Sequence, residues 1–141
     1  MIPIFSISFV SYSLIALISL LFGSIYLARS QFMPYHAEAL GLSWSELEAK
    51  IQVLILALMR AAGGGFLATG LTIFILLIIP FRSGERWAAY AIPAIALCLS
   101  GGTLLATLLV KTKTPGNPPV FLSFLALGLT ITGFIFSVVM P

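Results

Sequence analysis

From residue 61 to residue 79 the chain carries no charge, and Arg60 stands immediately before this run. About 17 to 25 apolar residues cross a bilayer core, so the run has the length of a transmembrane helix. Ahead of Arg60 the pattern changes. Ser43-Trp44-Ser45-Glu46 has the form of a helix N-cap followed three residues later by a carboxylate that reaches back to it. Leu47, Ile51, Leu54 and Leu58 then recur at helical spacing, with Glu46, Glu48, Lys50 and Gln52 on the other side. The sequence therefore predicts one long helix, amphipathic before Arg60 and fully apolar after it. At about 1.5 Å per residue it would run roughly 55 Å against ~30 Å of hydrocarbon, so it must project, tilt or break. Gly63-Gly64-Gly65 is where a break would fall, at a cost of about 1 kcal/mol per glycine relative to alanine. The same glycines, with Gly70, equally suit close packing against another helix.

The rest of the chain repeats the theme. It is 60% hydrophobic and 8% charged, whereas soluble domains carry about 25% charged residues and need them to solvate a surface. We expect an all-α membrane protein, one membrane domain over residues 1–141, with four transmembrane helices at about 9–28, 53–79, 87–110 and 120–140. The second helix is extended by an amphipathic segment, and residues 30–52 form an interfacial stretch. The first charged side chain is Arg29, so the start lacks the basic region of a secretory signal and the first apolar run is expected to stay in the mature protein. The net charge is +3, but the basic residues sit at the ends of apolar runs, as membrane-edge anchors and not as a nucleic-acid patch. Cys98 is the only cysteine, which excludes an internal disulfide and a cysteine-based zinc cluster.

The connections carry their own signals. Phe32, Met33, Tyr35, Leu40 and Leu42 are too closely spaced for a freely solvated loop, so residues 30–42 should lie at the interface or fold over helix ends. Pro34 suits the opening of a short helical turn there and Gly41 its close. Pro80 ends the second span, and Ser83 is the expected cap of the third, with Glu85 in its first turn. Pro93 predicts a kink, while Gly101 and Gly102 offer another close-packing surface. Asn117 before Pro118 reads as the cap of the fourth helix. Four spans put both termini on one side. Arg29, Lys50, Lys111 and Lys113 lie opposite, against Arg82 and Arg86 on the terminal side, so the positive-inside bias puts the termini outside the cytoplasm.

Few residues offer chemistry. Arg60 is an intramembrane suspect whose candidate roles are snorkelling to phosphate, a tie to Glu38, or a bound anionic ligand. His36 is the sole histidine; with only Met33 as a possible soft neighbour, no metal site is expected within one chain, while a haem or quinone shared with a partner stays open. No nucleophile elbow, embedded carboxylate pair or His-Glu-x-x-His pattern appears. The other three spans hold no Asp, Glu, Lys, Arg or His, which disfavours a proton-coupled transporter. Their isolated hydroxyls also make a poor pore lining, and suit bonds within or between helices.

Phe32-Met33-Pro34-Tyr35-His36, then Leu58-Met59-Arg60 leading into Gly63-Gly64-Gly65, and Pro80-Phe81-Arg82-Ser83-Gly84-Glu85-Arg86-Trp87 together resemble a group of small four-helix bacterial membrane proteins to which no activity is assigned. The resemblance implies the four-helix architecture and a bacterial inner membrane, and carries over no catalytic or binding residue. The expected role is a non-catalytic accessory or structural subunit that packs in the bilayer against a larger complex or copies of itself. The apolar surplus of residues 51–59 and of the first connection motivates it. The alternative is a lipid-, quinone- or other amphiphile-binding or transport protein, with Arg60, His36, Tyr35 and Glu38 lining a headgroup pocket. An enzyme acting on a membrane-soluble substrate is the third class, short of acid and base groups.

Overall fold

The computed structural model describes residues 4–138, with side chains from residue 7 onward; the last expected residues of the fourth span, 139 and 140, lie outside them. The chain forms α1 (Ile4–Ala28), a short α2 (Pro34–Leu40), a single 3-10 turn (Trp44–Glu46), α3 (Ala49–Leu76) prolonged by a π turn (Leu77–Phe81), α4 (Ala88–Lys113) and α5 (Val120–Val138). Four of these helices are long and apolar enough to cross a membrane. Side chains such as Leu21, Leu105 and Phe121 stand largely exposed, as lipid-facing residues do when helices have only one another and acyl chains to pack against.

Local chemistry explains the boundaries. α2 opens on Pro34 and closes at Gly41, whose φ of +66° is left-handed and whose N–H reaches Ala37 O at 2.8 Å. The expected cap at Ser43 forms but opens only one turn: its N–H and Oγ–H both donate to Glu46 Oε2, at 2.7 and 2.6 Å. Leu47 then takes extended angles, so the helix starts afresh at Ala49 and no rod runs from Ser43. Gln52 Nε2 donates to Trp44 O and Leu47 O at 2.8 and 3.1 Å, tying the start of α3 back to the turn before the break. Downstream, α3 is unbroken through Gly63-Gly64-Gly65.

Two other expected caps do different work. Ser83 donates back to Ile79 O at 2.9 Å, while α4 begins only at Ala88. Asn117 Oδ1 accepts from Lys111 Nζ at 2.6 Å, and α5 begins at Val120. Pro80 sits inside the π turn, where Arg82 N–H reaches Leu77 O at 3.2 Å; proline donates no hydrogen bond, and the widened turn accommodates it. Pro93 lies within a continuous α4. The carbonyl it leaves unpaired, Ala89 O, lies 3.4 Å from Ser137 Oγ of α5, a donor that also reaches Phe134 O at 2.9 Å.

The helices form an incomplete ring. α1 packs along α3 and against α5, and α5 packs on α4, whereas α3 and α4 share little surface. The core of Tyr12, Ile15, Ile73, Leu77, Phe81 and Ile92 fills the half of the bundle nearest the α3–α4 turn. Along the α1–α3 seam the backbones nearly touch: a Cβ at Gly23 would lie 2.8 Å from Leu67 N and 2.9 Å from Gly63 O. One at Gly70 would lie 3.0 Å from Ala16 O. Extending this antiparallel register brings Arg60 level with Ala28 and Arg29. Arg60 and Arg82 then bracket a rise of about 33 Å, the thickness of a hydrocarbon core plus its edges. Residues 49–59 of α3 project about 16 Å past the end of α1.

Candidate functional site

The open side of the ring is a groove of about 460 Å³ between α3 and α4. Phe66, Leu99, Ala106 and Val110 give it apolar walls. Gly65 and Gly102 widen it, since a Cβ built on either meets nothing within 4 Å. Towards the connections Tyr35, His36 and Pro118 roof it, with Tyr26 behind them. Several of the same residues, among them Tyr26, Phe66 and Thr103, also line a narrower inner cavity of about 90 Å³ against Ser19, Phe22, Ser100 and Ser123. The groove is therefore apolar along its length and polar at the membrane-surface end.

The roof is held in place by hydrogen bonds between the two connections. Asn117 N–H donates to Glu38 Oε2 at 2.9 Å, and Gly116 lies so close to α2 that a Cβ there would meet Tyr35 O at 2.8 Å. Tyr26 and Tyr35 hydroxyls meet at 2.6 Å. One of the two protons occupies that bond, which leaves the other hydroxyl a proton to donate. Burial first, then the bond to Tyr26, push the Tyr35 phenol well above its ordinary range, so Tyr35 stays protonated.

His36 adds a second donor. Met33 N–H donates to His36 Nδ1 at 3.3 Å, so the neutral ring is assigned its proton on Nε2, which has no partner among the described residues. Phe32 and Tyr35 pack edge-on to the ring, with centroids 6.3 and 4.3 Å away. Burial and, second, the nearby Arg29 charge lower the imidazole below its ordinary 6.5. At pH 7 the roof thus turns two neutral donors to the groove, a phenol and an imidazole N–H.

The four residues expected at a headgroup site part company here. His36 and Tyr35 line the groove, with Glu38 one turn away, engaged with Asn117. Arg60 is exposed and, among the described residues, makes neither a hydrogen bond nor an ion pair. The Arg60–Glu38 tie is not formed, because Arg60 lies at the rim of α1 and the carboxylate is already taken. Of the glycines expected to pack, Gly63 and Gly70 do so; Gly64, Gly65, Gly101 and Gly102 meet nothing within 4 Å. The sequence does not mark Tyr26, Phe66, Thr103 or Thr107 as site residues. The four-residue spacing of Thr103 and Thr107 marks a shared helix face, but nothing local says which helix it meets. Both donate to their own backbone, Thr103 Oγ1 to Leu99 O at 2.9 Å and Thr107 Oγ1 to Thr103 O at 2.9 Å, and Thr107 lies 3.2 Å from Ser123 Oγ.

Among the described residues, no three His, Cys, Asp or Glu side chains gather as a metal would require. No protein-family model, curated protein or solved structure matches the chain. Multi-pass membrane residence thus rests on the helices themselves, and the chemistry on the groove.

Proposed function

We propose that this membrane protein binds an amphiphile in the α3–α4 groove, with the polar head under the α2 roof and the apolar body along Phe66 and Leu99. The observation that carries this reading is the grading of the groove: two neutral donors at its surface end and an apolar, glycine-widened slot behind them. Uncharged donors favour a head that accepts hydrogen bonds, such as a quinone carbonyl or a lipid ester, over a phosphate that calls for a cation. Slots of this size and lining are typical of small-molecule sites. Native mass spectrometry after extraction in a mild detergent tests it. The expected spectrum holds one small hydrophobic molecule per chain, lost on Tyr35→Phe together with His36→Leu; a ligand-free chain, or an adduct that survives both changes, would refute it.

A second reading, an accessory subunit or homo-oligomer, draws on a different region. Val53, Leu54 and Leu58 are 69, 56 and 62% exposed on the part of α3 that projects beyond α1, which is more apolar surface than a lone bundle leaves at the membrane edge. A co-purifying protein or second copy, released by Val53→Lys with Leu54→Lys, is its expected signature. Placement in a bacterial inner membrane with the connections facing the cytoplasm belongs to the same proposal. Arg60 joins Arg29, Lys50, Lys111 and Lys113 at that end, against Arg82 and Arg86 at the other, which strengthens the positive-inside bias.

A further inference from the structure

The opposite end of the bundle holds a separate cavity of about 330 Å³, lined among others by Ser8 of α1, Phe81, Glu85 and Arg86 of the α3–α4 turn, Tyr90 of α4 and Ser137 of α5. It shares no residue with the groove. Ser8 forms part of its wall, is fully buried, and among the described residues its Oγ has no hydrogen-bond partner. Ser24 and Ser100, by contrast, are satisfied by their own helices, through Leu20 O and Ala96 O, each at 2.8 Å. A buried hydroxyl left open beside a cavity calls for a partner from within that cavity. Glu85 and Arg86 are exposed, and among the described residues their side chains form no ion pair with each other or with anything else. Arg82 and Trp87 flank them, so the cavity lies at headgroup depth.

We infer that this cavity holds a zwitterionic phosphoethanolamine headgroup, its phosphate on Arg86, its ammonium on Glu85 and one oxygen on the Ser8 hydroxyl. Arg86 supplies the planar donor fork that phosphate accepts well. Glu85 rejects a purely anionic head and accepts hydrogen bonds from an ammonium, which has three N–H donors where trimethylammonium has none. The apolar wall of Phe81, Phe136 and Val138 suits the first carbons of acyl chains, so a membrane phospholipid and a soluble phosphoethanolamine ester share the recognised chemistry.

Nanodiscs containing equal parts of phosphatidylethanolamine, phosphatidylcholine and phosphatidylglycerol, analysed by native mass spectrometry on release, test it. Wild-type protein should retain the ethanolamine lipid about tenfold over the choline lipid, the scale of one charge-assisted hydrogen bond. Glu85→Gln should abolish that preference, Arg86→Gln should lower retention of all three lipids, and Ser8→Ala should lower ethanolamine-lipid retention several-fold. Because Glu85 and Arg86 are exposed, both variants should keep wild-type helical circular dichroism. Glycerophosphoethanolamine offered without lipid distinguishes the source: binding by either form, dependent on Glu85 and Arg86, supports the site. Binding of neither, or an ethanolamine-to-choline ratio unchanged in Glu85→Gln, overturns it. Groove variants should leave this ratio untouched, which keeps the result independent of the amphiphile reading.

Discussion

Two seams of this bundle are rich in glycine, and they do opposite things. Along α1 and α3, Gly23, Gly63 and Gly70 bring backbones so close that an added methyl group would strike backbone atoms. Between α3 and α4, Gly65 and Gly102 line a groove in which an added Cβ on either meets nothing within 4 Å. The difference lies in what faces the glycine, not in the glycine. Gly23 meets the missing side chain of Gly63, so the helices close; Gly65 and Gly102 oppose a slot roofed by Tyr35 and His36, so the missing side chains become volume. One seam holds the fold together, and the other holds the site open.

The largest effect should come from closing the wrong gap. Gly23→Ala places a Cβ within 2.9 Å of Leu67 N and Gly63 O, where a backbone has to move. Overpacking of this kind costs about 1 to 3 kcal/mol, which outweighs the ~1 kcal/mol that alanine gains in helix propensity. Thermal unfolding in detergent should show a clear loss of stability. The same change at Gly65, where nothing lies within 4 Å of an added Cβ, should instead stabilise by up to about 1 kcal/mol. Equal effects at the two positions would erase the distinction between the seams.

A smaller effect sharpens the description of the groove's polar end. His36 is held neutral by burial and by Arg29, so NMR should find its imidazole titrating below 6.5, and Arg29→Gln should move it upward. The linked stability follows in sign: a base whose folded pKa is depressed leaves the unfolded chain binding more protons, so stability falls as pH drops through 6.5 towards the folded value. A midpoint above 6.5 would mean that the ring is solvated and the roof open. The smallest effect is expected outside both seams. Arg60→Lys should change stability by less than about 0.5 kcal/mol, as for an exposed side chain, and a label at position 60 should report headgroup depth.

The four long apolar helices and the short turn from Pro34 to Gly41 were legible in the sequence, because hydropathy and turn chemistry are local. The break at Leu47 was not, since a capping box looks the same whether it opens one turn or nine. The level of Arg60 along the bundle was not legible either, for a related reason. Its depth depends on the α1–α3 register, and that is fixed by Gly23 meeting Gly63, a contact between residues far apart in the chain. His36 and Tyr35 stood out by rarity and by their unusual loop. Tyr26, Phe66 and Thr107 join them only because α1, α3 and α4 converge beneath α2, which no periodicity within one helix reveals.

Filling the slot probes the contrast between the seams most directly. Gly65→Leu with Gly102→Leu places two side chains in the groove and none in the α1–α3 seam. Native mass spectrometry and thermal unfolding, run on one preparation, should find the bound amphiphile gone and the fold intact. An amphiphile still bound, or a chain that melts as Gly23→Ala does, would contradict the account.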